Sequence, residues 1–269
     1  MLMMCGGNWT ASLQPGDGSV VHSTGHSPAS FSVVIPAHNE EALIRDCLDS
    51  VRVAAGRVEG EVACIVVLNA CTDATERIAR ENGATIAFCE QRNLAVVRNA
   101  GAAVATGEIL VTIDADSRMA ADALTRAEEA LASGRYIGGG VPIVPDRRSV
   151  GIVLTGILIL TLCAALGVPS AGMFWCYRRD FEAIGGFDET LHSGEDVDFA
   201  RRLKRHGCAQ GKRYGTLRKT PIHTSCRKFD QFGDWSFVRL ALLHPRRCWR
   251  VLRGREPGLA DRFWYAVER

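Results

Sequence analysis

The sequence predicts an α/β fold: a mostly parallel sheet flanked by helices, in a single domain with N- and C-terminal extensions. Three observations predict it. Short apolar, β-branched runs alternate with amphipathic helical stretches through the first half of the chain. Capping and turn residues fall at the junctions. Polar clusters, at residues 36–40, 69–73 and 114–116, stand at the carboxyl ends of three of the runs. Strands and helices alternating at this spacing make βαβ units with right-handed crossovers. Their strand ends converge on one edge, where ligands bind in such sheets.

The elements follow in order. Residues 31–36 form a first apolar strand. Asn39 is read as the cap of a helix in which Leu43, Ile44, Cys47, Leu48 and Val51 recur at three- and four-residue steps. Residues 62–68 are a second strand; Asp73 caps the next helix, with Glu76 completing a capping box. Residues 85–88 are a third strand and 93–105 a third helix, closed by Gly107. The run 109–113 is the strand that leads into Asp114. Beyond Ala120 a helix extends to about Ser133, followed by strands at 136–144 and 173–177, a turn at 184–188 and a helix opened by Glu195. Between the two strands, residues 151–168 carry no charge, and a buried or interfacial helix is expected there rather than a membrane span. A span would put Asp114 and everything after Val168 on opposite sides of a membrane.

Composition narrows the function classes. With 269 residues, 47% hydrophobic, the chain is long enough for a sizeable core. A formal charge of +2 does not single out nucleic acid as a partner, and none is expected. Lysine and arginine concentrate after Arg201. The ten cysteines include no CxxC pair and no zinc spacing, and Cys47, Cys64, Cys89 and Cys163 sit in apolar patterns. Free thiols in a reducing, cytoplasmic compartment are expected. Residues 1–30 are rich in Gly, Ser, Pro, His and Thr and read as a disordered tail without a signal peptide. From about Thr216 basic and aromatic residues alternate. Arg246, Arg247, Arg250, Arg253 and Arg255, interleaved with Trp249, Val251 and Leu252, suit an anionic membrane surface and a peripheral place at the inner face.

Asp114-Ala115-Asp116 carries the most chemistry. Two acids one residue apart at a strand end point to the same side of the backbone. Paired carboxylates of this kind suit Mg²⁺ or Mn²⁺, which keep open positions for the phosphates of a nucleotide. A solvated acidic turn is the alternative.

Six motifs occur in a fixed order: residues 33–41 (Val-Val-Ile-Pro-Ala-His-Asn-Glu-Glu), the 69–73 loop, Arg98-Asn99-Ala100-Gly101, Asp114-Ala115-Asp116, Gly185-Gly186-Phe187-Asp188-Glu189 and Gly194-Glu195-Asp196-Val197-Asp198. Together they resemble family 2 glycosyltransferases, over about residues 31–210. The resemblance implies a Rossmann-like GT-A domain at 31–215, with a nucleotide-binding half at 31–118 and an acceptor half at 119–215. The stretch 216–269 is then a basic and aromatic extension.

The resemblance also implies residue roles. Donor contacts fall to Pro36, Ala37, His38, Glu40, Asn69, Arg98, Asp114 and Ala115. His38 stacks on the nucleobase or is a solvated loop residue. Leu68 and Asn69 stand where the family usually has two acids; Asn69 falls where the second accepts the uracil N3–H, and its amide can also turn to donate. Arg98 contacts phosphate or base, or tethers its helix to a sheet carboxylate. Asp116 binds the cation, and Asp114 the ribose or a metal-bound water. Asp196 is the base that takes the acceptor proton, and Glu195 hydrogen-bonds nearby structure or the acceptor; the pair otherwise simply favours a helix N-terminus. Trp175 stacks on a sugar or packs in the core. His223 is a candidate late metal ligand, and Arg227 and Lys228 candidate diphosphate contacts. The expected activity is transfer of one sugar from a nucleotide-diphospho-sugar, a UDP-sugar favoured, to an acceptor that lipid linkage would place within reach. A nucleotidyltransferase and a silent nucleotide-binding subunit of an envelope-assembly complex are the alternatives. The first is disfavoured by the acidic, glycine-free segment 36–41, the second by Asp114, Asp116 and Asp196.

Overall fold

The computed structural model describes residues 28–165, 167–168, 172–244 and 246. The chain runs β1 (Phe31–Ala37), α1 (Ile44–Ala55), β2 (Val62–Leu68), α2 (Thr75–Glu81), β3 (Thr85–Phe88), α3 (Leu94–Ala103), β4 (Ile109–Thr112) and β5 (Ser117–Arg118). It continues with α4 (Ala123–Ala132), β6 (Tyr136–Gly140), β7 (Ile143–Pro145), α5 (Val150–Ala165), β8 (Phe174–Tyr177) and α6 (Arg178–Ala183). Then come α7 (Glu195–Ala209), β9 (Arg213–Thr216), β10 (Ile222–Thr224), α8 (Arg227–Phe232) and α9 (Ser236–Leu243).

Seven strands form one sheet in the order β3-β2-β1-β4-β8-β6-β9. The first four run parallel, joined through helices as βαβ units. β8 is antiparallel to both β4 and β6, and β9 parallel to β6. The fold is thus α/β with a mixed, mostly parallel sheet. Side chains alternate across it as the pleat dictates. Val33 and Ile35 pack with Ile44, Leu48 and Val51 on one face, while Val34, Ile65 and Val67 face the second core, with Phe174, Phe181, Phe187 and Phe199. Phe187 and Phe199 stack with centroids 4.3 Å apart. A second sheet, β5-β10-β7, is laid down next to Asp116: β10 pairs antiparallel with β5 and parallel with β7. The segment 222–224, expected in a C-terminal extension, is therefore stitched to residues just after Asp116.

Local expectations differ from the structure at four places. Asn39 does not cap α1. It sits at φ 52, and its Oδ1 accepts the Thr72 N–H at 2.8 Å, so the helix starts later at Ile44. Asp73 does hold the first turn of α2, accepting the Thr75 N–H at 3.0 Å, but Glu76 pairs with Arg80 at 2.9 Å instead of closing a box. The strand expected at 136–144 is two strands, because Pro142 has no N–H for a ladder and the chain changes sheets around it. Of the two alternatives for α5, the buried one is not realised; most of its apolar side chains face outward. Among the described residues no helix is long and apolar enough to cross a membrane. The arginine-rich stretch beyond Arg246 and the tail before Pro28 lie outside the described residues.

Gly101 is where α3 meets the sheet. A Cβ there would stand 2.4 Å from Val34 Cγ1 and 2.7 Å from Val67 Cγ2. Gly101→Ala should therefore destabilise the fold by about 1–3 kcal/mol, the usual cost of overpacking a tight core. Urea unfolding measures it; a midpoint equal to that of the unaltered chain would refute the packing argument.

Candidate active site

The cleft lies at the carboxyl ends of the parallel strands. It is open to solvent and is lined by Pro36, Ala37, His38, Glu40, Asn69, Leu94, Val97, Asp114, Ala115, Asp116 and Lys228. Seven of the sequence-predicted donor residues and Lys228 thus meet in one cavity, although they come from four separate stretches of chain. Leu94 and Val97 are additions. They are plain apolar residues of α3, and nothing in the sequence alone marks such residues as part of a cleft wall.

The first two strand-end loops lock each other. Glu41 N–H donates to Asp73 Oδ2 at 3.0 Å, Ala74 N–H to Glu41 Oε2 at 2.9 Å, and the buried Glu40 N–H to Thr75 Oγ1 at 2.7 Å. His38 Nδ1 lies 2.5 Å from the Asn69 carbonyl oxygen, which fixes the ring at the cleft wall. The Asn69 side chain is buried, and its Nδ2 donates to the carbonyls of Cys89 at 2.6 Å and Gln91 at 2.9 Å. An amide oxygen would be repelled at both places, so the amide has one orientation, with Oδ1 left to accept.

Arg98 is the hub. It is 3% exposed, and α3 delivers it underneath the cleft. Its Nη2 donates to Asp114 Oδ1 at 2.9 Å, and its Nη1 to Asp196 Oδ1 at 2.5 Å and Glu195 Oε1 at 3.3 Å. The guanidinium also stands 5.2 Å from the Phe187 ring centroid. Burial opposes its charge, but Asp196, Asp114 and Glu195 outweigh that and raise its pKa. Of the two meanings open for this arginine, tethering to a sheet carboxylate is the one the geometry displays, extended to two more acids. Neighbouring Asn99 clamps the glycine turn: its Oδ1 accepts the Phe187 N–H and its Nδ2 donates to the Phe187 carbonyl, each at 2.9 Å. Gly185 and Gly186, at φ 74 and 65, take the left-handed conformation that this turn needs. Gly194, at φ 69, does the same directly before α7 and aims Glu195 and Asp196 back at Arg98.

The two acids differ. Glu195 is almost enclosed, whereas the Asp196 side chain is 29% exposed. The Asp196 pKa is raised, first by burial, with the Glu195 and Asp114 charges adding and Arg98 opposing. Asp196 is not part of the cleft lining; it stands beside it, joined to Asp114 through Arg98.

Around Asp116 the chain supplies hydroxyls and a cation. Ser117 Oγ and Thr224 Oγ1 donate to Asp116 Oδ1 at 3.2 and 3.4 Å. Arg227 Nη2 donates to Glu40 Oε2 at 2.6 Å and lies 3.7 Å from Asp116 Oδ2. Thr224, rather than His223, reaches Asp116, because successive residues of β10 point to opposite faces; His223 is exposed. Among the described residues no three His, Cys, Asp or Glu side chains gather into a metal-binding cluster. Trp175 is fully buried, its Nε1 donating to the Gly140 carbonyl at 3.3 Å. It is a core residue here and has no exposed face to stack on a sugar.

Comparison with known proteins agrees with this geometry. The model of the family described as glycosyl transferase family 2 matches residues 32–155. A pre-mycofactocin glycosyltransferase of Mycobacterium tuberculosis is 38% identical over 88 residues, which cover 29% of this chain and 17% of that protein. The chain therefore spans under a fifth of that curated relative. Among solved structures, S. aureus TarS 1–349 superposes with a TM-score of 0.58 at 17% identity, covering 89% of this chain and 73% of that one. The mannosyltransferase PcManGT of Pyrobaculum calidifontis, in complex with GDP-Man and Mn²⁺, gives 0.58 at 22% identity over 91% and 77%. Glucosyl-3-phosphoglycerate synthase of M. tuberculosis, with Mn²⁺, UDP-Glc and phosphoglyceric acid, gives 0.55 at 21% identity over 84% and 79%. The fold is the one these solved glycosyltransferases share, and residues 32–155 match the model of glycosyl transferase family 2.

Proposed function

We propose that this chain moves one sugar from a nucleotide-diphospho-sugar to an acceptor hydroxyl, inverting the anomeric centre with Asp196 as base. The observation that carries the reading is the Asp114–Arg98–Asp196 bridge. It ties a strand-end carboxylate in the cleft to a carboxylate just outside it, so that donor and acceptor sides are held in fixed relation. The structural relatives were solved with UDP-GlcNAc, UDP-Glc and GDP-Man. A UDP-sugar is favoured because the fixed Asn69 amide offers an acceptor, which the uracil N3–H can use, and His38 stands next to it.

A divalent cation, Mn²⁺ or Mg²⁺, fits the donor set. Asp116 and Asp114 offer hard carboxylate oxygens, and both line the cleft. Bound there, such an ion supplies charge neutralisation to the diphosphate leaving group. The chain's own residues do the rest. Asp116 is oriented by Ser117 and Thr224. Arg227 and Lys228 bring positive charge to the same end of the cleft. Glu195, enclosed against Arg98, fixes the start of α7. Asp196, partly exposed, accepts the proton of the acceptor hydroxyl as that oxygen attacks the sugar.

Asp116→Asn should keep the fold and lose most of the Mn²⁺-dependent affinity for UDP. Calorimetric titration with and without Mn²⁺ reads it, and equal dependence in both proteins would sink the assignment. Asp196→Asn should lower turnover of a nucleotide sugar by roughly 10²–10⁴-fold with UDP affinity little changed. Near-normal turnover in that variant, with Glu195→Gln dead, would reverse the two roles.

The pH dependence has a definite sign. A base works deprotonated, and the Asp196 pKa is raised, so activity should fall on acidification at a pH above the ordinary carboxylate range of about 4. Arg98→Met removes the one charge that lowers that pKa, and the acid limb should move further up. The same change leaves three carboxylates facing one another. It should cost about 3–5 kcal/mol at neutral pH, with the loss shrinking in acid as they protonate. Activity profiles and urea unfolding at two pH values test this; a pH-independent loss would contradict it.

A further inference from the structure

Helix α5 is at odds with the rest of the surface. Its sixteen residues carry no charge, and a helix apolar all round normally sits inside a protein or against another apolar phase. Here only Gly151, Ile152, Thr155 and Cys163 are buried. Val150, Val153, Leu154, Ile157, Ile159 and Leu160 are between 41% and 68% exposed. Helix α9 lies against α5 and adds Leu242 and Leu243, 76% and 70% exposed, with Trp235 at its start. Apolar patches this continuous are uncommon on surfaces that face only water.

The rim of the patch is basic. Arg148, Arg239 and Arg246 are exposed beside it, and neither α5 nor α9 contains an acid. Asp230 and Asp234, which lie between α5 and α9 in the fold, are already paired with Arg147 at 2.6 and 2.8 Å. In the sequence the chain continues with Arg247, Arg250, Arg253 and Arg255. A second copy of this chain packed on the face would bring its arginines against the same arginines. Anionic headgroups neutralise them while the acyl boundary receives the leucines and isoleucines. The face also adjoins the acceptor side of the site. Lys204 of α7, the helix that begins with Glu195 and Asp196, donates to the Gly167 carbonyl just past α5 at 2.9 Å. The Cys163 thiol is raised by burial and then by the Asp196 charge.

We infer that the α5–α9 face docks on an anionic lipid bilayer, with its apolar side chains in the acyl boundary and Arg148, Arg239 and Arg246 among the headgroups. Docking itself does not depend on the transferase reading. Its consequence, an acceptor hydroxyl presented at headgroup level on the Asp196 side, rests on that reading.

Sedimentation of the full chain with vesicles tests the inference. The chain should sediment with phosphatidylcholine–phosphatidylglycerol vesicles and not with phosphatidylcholine alone, and salt should weaken the binding. Ile157→Glu combined with Leu160→Glu should reduce partitioning by about tenfold or more, since both side chains would enter the boundary layer. Removal of residues 247–269 should weaken binding without abolishing it. Equal binding by the glutamate variant overturns the proposal, as does binding lost wholly on truncation. Absence of binding to either vesicle at low salt also overturns it. So does a dimer in light scattering that the glutamates dissolve, which would make the face a contact between copies. Far-UV circular dichroism and UDP-sugar hydrolysis without vesicles, both unchanged in the glutamate variant, show that it is folded. They also separate a failure of docking from a failure of the transferase reading.

Discussion

The burial of Arg98 beneath the strand ends is the constraint on which the site depends. A guanidinium with 3% exposure is tolerable only if its charge is answered on the spot. Three carboxylates answer it, from the end of β4 and the start of α7. Those elements are remote in sequence, and the arginine ties them together. The pairing also sets the electrostatics of the site. It keeps Asp114 and Asp196 from repelling each other and pulls down an Asp196 pKa that burial pushes up. A hub of this kind contributes more to arrangement than to net stability, because desolvating Arg98 and Glu195 offsets much of what the attraction supplies.

Around the hub the chain uses side chains to fix backbone. Asn99 reads both the N–H and the C=O of Phe187, and Arg202 donates to the carbonyls of Ile184 at 2.8 Å and Gly186 at 2.6 Å. The glycine turn is thereby held from two helices, and Phe187 is pressed into the aromatic cluster of Phe174, Phe181 and Phe199. Rigid packing on one side of the sheet thus aims α7 at the cleft. On the other side the crossed bonds between the 38–41 and 72–75 segments do the same for the donor loops. The second, three-stranded sheet brings Thr224 and Arg227 to Asp116. Preorganised polar groups around a cleft are what electrostatic catalysis requires.

Sequence alone determined the alternation of strands and helices through β4, the convergence of residues 36–40, 69–73 and 114–116, and the pairing of Glu195 with Asp196 at a helix start. These are local properties: periodicity of two or of three to four, caps, and the side of a strand on which a residue falls. Tertiary structure decided everything that depended on a partner far along the chain. Arg98 could have met a phosphate, a base or a carboxylate, and only the fold brought Asp114, Glu195 and Asp196 to it. Asn39 has a capping side chain, yet a closer donor at Thr72 took it. Trp175 could have stacked on a sugar or packed in the core, and the fold buried it completely. The amide of Asn69 had two orientations on paper and one between the carbonyls of Cys89 and Gln91. Helix α5 reads in sequence as either buried or interfacial, because apolar content does not say which side of a helix finds neighbours. Contacts between distant residues are set by how layers stack, and that information is spread over the whole chain rather than written at any one position.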